Sequence, residues 1–149
     1  MSSYISAELR NEVIKRAFNT CEYCLMHEDD AFFSFHIDHI ISIKHGGTTV
    51  SENLAYSCPI CNRDKGTDLG SFLDNPSKII RFYNPRKDKW LDHFEIDNLQ
   101  INAISEIGNV TLKILKLNDE HRILERELLI ETGSFPSSFA KKLLGSSDS

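Results

Sequence analysis

With 149 residues, 40% apolar and 26% charged, the chain matches one ordinary globular domain spanning 1–149, which excludes general disorder or a fibrous repeat. A formal net charge of −5 excludes a protein that coats nucleic acid by charge alone. No run approaches the roughly 18 consecutive apolar residues of a membrane span, and "MSSYISAELRNEV" lacks the basic start and apolar run of a secretory signal, so a soluble, cytoplasmic protein is expected.

Taken in chain order, "SAELRNEVIKRAFNTC" puts Leu9, Val13 and Phe18 near one helical face, with Ser6 as N-cap and Glu12 close behind. This predicts a short amphipathic helix within 1–20 that leads into the first cysteine pair. Residues 32–41, "FFSFHIDHII", are aromatic and β-branched and predict a strand; "KHGGTTVSE" supplies a glycine loop, and "NLAYS" a second strand to pair with the first. After Cys61 a helix begins, but Gly66, Gly70 and Pro76 keep it short. From Pro76 to Trp90, Lys78, Arg81, Arg86, Lys87 and Lys89 face one acidic residue, Asp88, with Phe82, Tyr83 and Trp90 interleaved; the aromatic rings are expected in the core. "KWLDHFEIDNLQINAI" alternates bulky residues around a turn at Asp97–Asn98 and predicts a hairpin. From Asn109, the spacing of Val110, Ile114, Leu117, Ile123, Leu124 and Leu128 predicts two short helices interrupted at Asn118–Asp119. Residues 143–149 are expected to form a frayed tail.

The four cysteines form two C-x-x-C pairs, Cys21/Cys24 and Cys58/Cys61. In a reducing cytosol such pairs are metal knuckles or redox dithiols, and two of them bracketing a predicted hairpin supply the closed four-thiolate set of a structural zinc site. A ring scaffold with two zinc ions needs eight ligands, which excludes it here. The 33 residues between Cys24 and Cys58 exceed the roughly 15–20 of a simple zinc ribbon, leaving room for a functional insert.

That insert and its sequel contain "HIDHII", "GG", "ENL" and "CNRDKG". The order D-H, G-G, N-L, C-x-x-C-N-x-x-K-G resembles the HNH endonuclease family in its zinc-stapled bacterial form, closely over 21–69. The resemblance implies an α+β fold: a ββα-metal core (21–75) with the four-cysteine zinc site, followed by a C-terminal hairpin and helical extension (76–142).

It also implies roles. His39 matches the family's general base, a task that a neutral imidazole suits near pH 7. Asp38 and Asn62 match the oxygen ligands of a catalytic Mg²⁺ or Mn²⁺, with His36, two residues before Asp38, as a further candidate. Because Asp38 and His39 are adjacent, aiming both at one phosphate requires a bulge or the strand's end. Asn53 matches the asparagine that pins the loop and orients His39. Arg63 and Lys65, with the stripe cations Lys78, Arg81, Arg86 and Lys87, are assigned to substrate phosphates. The function expected is a DNA endonuclease acting as a monomer or homodimer. The alternative is a non-catalytic zinc-stabilised module that binds nucleic acid or protein. Many family members have proline where this chain has Ser42.

Overall fold

The computed structural model describes residues 4–145. Helix α1 spans Ala7–Arg16, and its first turn is capped by Ser6, whose hydroxyl accepts from Leu9 N at 3.1 Å. Val13 is buried, but Phe18 is not on that face: Phe18 and Asn19 both adopt left-handed backbone, so the helical phase ends and the ring turns outward.

Strands β1 (His36–His39) and β2 (Leu54–Ser57) form an antiparallel hairpin in the register His36↔Ser57 to His39↔Leu54. β1 is shorter than its β-favouring sequence, because among the described residues those before His36 have no partner strand. Phe32 and Phe33 therefore project into solvent, Phe32 completely. Helix α2 (Pro59–Lys65) follows directly, with Cys58 as N-cap, proline in its first turn and Gly66 ending it.

Two further hairpins join β3 (Gly70–Ser71) to β4 (Ile80–Arg81) and β5 (Phe94–Asp97) to β6 (Gln100–Ala103). Asn98 takes the left-handed conformation in the second turn. Trp90, read from the sequence as part of that alternation, sits instead in a 3₁₀ turn with its indole buried. Helix α3 (Glu106–Leu115) starts earlier than the apolar spacing indicates, because Ser105 caps it by accepting from Gly108 N at 2.9 Å. Helices α4 (Glu120–Glu131) and α5 (Ser138–Leu143) complete the chain; of the expected tail, residues 146–149 lie outside the described residues.

The architecture is α+β. Its core gathers Val13, Tyr23, Leu25, Leu54, Phe94, Ile101, Leu115 and Leu117 around the cysteines, with Phe82, Tyr83 and Trp90 also buried. Helix α4 reverses its expected polarity. Leu124 and Leu128 are more than half exposed, while Arg122 and Arg126 are buried. The reason is a supply of fixed acceptors: Arg126 donates to the carbonyls of Leu99 and Leu117 at 2.5 and 2.7 Å, and Arg122 meets the cysteines. Among the described residues, no helix is long and apolar enough to cross a membrane.

Candidate functional site

All four cysteines are buried, and their sulfurs lie within 4.8 Å of one another. Tetrahedral thiolates at Zn–S of about 2.3 Å stand roughly 3.8 Å apart; Cys24 Sγ and Cys58 Sγ are 3.7 Å apart. In each knuckle a backbone N–H turns back on the first sulfur, Cys24 N to Cys21 at 3.4 Å and Cys61 N to Cys58 at 3.3 Å. Arg122, only 3% exposed, donates to Cys61 Sγ at 3.1 Å and Cys58 Sγ at 3.8 Å, and among the described residues no carboxylate lies within ion-pair distance of it. Burial opposes its charge, yet the thiolates of Cys61, Cys24 and Cys58 hold its pKa above the usual arginine value. A buried guanidinium bonded to two of the four clustered sulfurs fits a thiolate-bound metal, whose negative ligand set it compensates. Sequence reasoning missed Arg122, since an arginine at an apolar helical position reads as solvent-facing.

The first knuckle also reaches the hairpin. Glu22 accepts from Tyr56 N and pairs with Arg86, while Tyr23 O accepts from Trp90 Nε1 at 3.0 Å. Tyr23 Oη donates to Asp38 Oδ2 at 2.9 Å. From α2, Lys65 Nζ lies 3.1 Å from Asp38 Oδ2 and 3.3 Å from Oδ1, and donates to the carbonyls of Ile40 and His39 at 3.1 and 3.3 Å. Asp38 is 5% exposed and Lys65 2%. Burial pushes the Asp38 carboxyl above its ordinary range, although Lys65 and Tyr23 pull the other way.

His39 ends β1, and the ladder runs to it without a bulge, so its ring and the Asp38 carboxylate take different neighbours. His39 Nε2 lies 2.9 Å from Thr49 Oγ1 across the loop. Asn53 spans that loop: its Oδ1 accepts from Ile41 N, its Nδ2 donates to the carbonyls of Ile41 and Thr48, each at 2.9 Å, and its carbonyl accepts from Ile40 N at 2.9 Å. The two glycines have distinct functions. Gly46 has φ of 88°, while a Cβ on Gly47 would stand 1.7 Å from Ile41 O. Asn62 lies partly exposed on α2, between the clustered Cys61 and Lys65.

Residues 21–68 match the HNH endonuclease family. That segment is about one third of the chain and holds both knuckles, the hairpin and α2. No curated protein and no solved structure matches the chain.

Within the matched segment, Asp38, His39, Asn53 and Asn62 lie on β1, on the residue that enters β2, and on α2, and His36 is exposed at the opening of β1. The assigned phosphate-binding cations are not brought together. Arg63 is exposed, but Lys65 is enclosed by Asp38 and two carbonyls, which removes it from the surface. Arg86 is drawn inward to Glu22, Arg81 is held by Asp88 at 2.7 and 2.9 Å, and Lys78 pairs with Glu106 at 3.0 Å. Lys87 and Lys89 stay exposed without an ion pair among the described residues. The stripe is therefore largely neutralised by carboxylates, two of them far away in sequence.

Proposed function

We propose that the chain is a metal-dependent endonuclease hydrolysing DNA phosphodiester bonds, with the four cysteines holding a structural zinc ion. The observation that carries this reading is His39 at the end of β1, ring held by Thr49 and loop pinned by Asn53, within a segment that matches the HNH endonuclease family. A binding module has no use for a histidine so fixed.

The proposed base is the tautomer in which Nε2 carries the proton and donates to Thr49 Oγ1; in it His39 Nδ1, which has no protein partner among the described residues, is the nitrogen left to act. Nδ1 takes a proton from a water whose oxygen attacks phosphorus as the bond to the 3′ oxygen breaks. A bound Mg²⁺ or Mn²⁺ would stabilise the charge that develops on the phosphate and leaving oxygen. The Asp38 carboxylate and Asn62 amide oxygen are hard donors suited to hold it: Asp38 Oδ2 is taken up by Tyr23 and Lys65, whereas Oδ1 meets only Lys65 and keeps lone-pair capacity beyond that bond. His36, exposed two residues before Asp38, is a further candidate ligand. Arg63, Lys78, Arg81 and Lys87 are the proposed phosphate contacts, because an exposed ion pair such as Lys78–Glu106 contributes little and is readily exchanged.

One observation favours the second reading, a non-catalytic zinc-stabilised module: Asp38 is enclosed and charge-paired. Supercoiled plasmid incubated with the zinc-loaded protein and Mg²⁺, Mn²⁺ or excess EDTA separates the two. Nicking with the added cations and none in EDTA supports the nuclease. Binding without nicking under all three conditions supports the module.

A further inference from the structure

We infer that Tyr23 and Lys65 form a clamp that positions Asp38 from the two zinc knuckles, and that Lys65 acts through Asp38 rather than on substrate. This rests on the nuclease reading above and extends it to residues whose work is orientation.

The bonding is saturated on the clamp's side. Tyr23 has one O–H, and it is directed at Asp38 Oδ2. Lys65 has three N–H, shared among four acceptors: both oxygens of Asp38 and the carbonyls of His39 and Ile40. A single ammonium thus holds the Asp38 carboxylate and two successive backbone carbonyls, those of His39 and Ile40. The exposed Arg63, on the same helix, shows what a solvent-facing cation looks like here: its side chain is 68% exposed against 2% for Lys65.

The clamp's anchor points carry the argument further. Tyr23 lies between Cys21 and Cys24, and Lys65 is one helical turn after Cys61. Each arm therefore starts beside a metal ligand and ends on one carboxylate. A buried ion pair gives little net stability over apolar residues of equal size, so core packing alone does not require this pair. Outer-sphere partners that fix a metal-binding carboxylate typically govern metal affinity by about 10–100-fold.

The test uses the full-length, zinc-loaded protein and two variants, Tyr23→Phe and Lys65→Gln. Mn²⁺ binding is followed by electron paramagnetic resonance. DNA binding without divalent cation is followed by fluorescence anisotropy over a range of salt. Tyr23→Phe is expected to keep zinc content and thermal midpoint while weakening Mn²⁺ binding about 10-fold. A hydroxyl that only stabilised the fold would lower the midpoint and leave Mn²⁺ affinity unchanged, which would overturn the clamp. Lys65→Gln is expected to leave the salt dependence of DNA binding unchanged; a slope reduced by about one would make Lys65 a phosphate contact and overturn the second half of the inference. Should Lys65→Gln lose zinc, Tyr23→Phe alone decides. If the wild type itself binds no Mn²⁺ outside the cysteines, the nuclease reading fails and takes the clamp with it. If the wild type and Tyr23→Phe bind Mn²⁺ alike, only the clamp fails.

Discussion

Thr49 lies 2.9 Å from His39 Nε2, on the far side of a loop that Asn53 closes with three side-chain hydrogen bonds. Thr49→Val removes the hydroxyl while keeping the shape. The nicking rate should fall about 10-fold or more, the range seen when a partner orienting a functional histidine is lost, with DNA affinity unchanged in a filter-binding assay. Ser42 offers a contrasting test. Its φ is −65°, and among the described residues its N–H donates to no protein acceptor and its buried hydroxyl has no partner. Ser42→Pro should therefore raise the unfolding free energy by roughly 0.4–1 kcal/mol in urea titration, since proline fits this φ and restricts the unfolded chain. At this scale the sequence names candidate residues but not their environments. "DH", "N" and "C-x-x-C-N" locate Asp38, His39, Asn53, Cys58, Cys61 and Asn62, but nothing local to Lys65 or Arg86 tells that each is drawn inward to a carboxylate from another element.

Helix α4 shows why elements are harder to read than motifs. Its sequence contains a credible apolar series, yet the face turned inward is Arg122 and Arg126, because thiolates and orphan carbonyls await them. If a metal fixes the cysteines as thiolates, its removal lets them protonate and leaves Arg122 buried without a counter-charge. Stripping the metal should thus loosen α4 before α1, read as faster amide hydrogen exchange over residues 120–131. Arg122→Met, which removes the charge and keeps bulk, should reduce that difference between the metal-loaded and metal-free forms. The segment between β4 and the 3₁₀ turn at Trp90 is held by another pair. Arg81 donates two bonds to Asp88, which also accepts from Asn84 N at 2.8 Å, and the Arg81 bonds are the main reason its carboxyl lies below the ordinary range. A carboxyl whose pKa is depressed by folding stabilises the fold above its unfolded value of about 3.9 and loses that contribution as pH falls through the folded value. Asp88→Asn should accordingly be less stable than wild type at neutral pH, and the gap should close below about pH 3.9 in acid-unfolding curves.

Across the whole molecule, the two knuckles do more than close a metal site. Through Glu22 and Tyr23 the first organises the strap at Arg86 and Trp90, and through α2 the second reaches Asp38 and the His39 carbonyl. The α+β class, the hairpin between the cysteine pairs and a short helix at the second knuckle were legible because alternation, glycines and ligand spacing are local signals, although the helix begins at Pro59 rather than after Cys61. The small β3/β4 hairpin, the outward turn of Phe18 and the neutralised cationic stripe were not, because each depends on partners supplied from elsewhere in the chain. The central claim is that His39 performs the chemistry. Single-turnover plasmid nicking in Mg²⁺ by wild type and His39→Ala, at equal zinc content and thermal midpoint, tests it most directly. A loss of about 10²–10⁴-fold in rate with DNA affinity retained is the result expected of a missing general base. Equal rates in the two proteins would contradict the account.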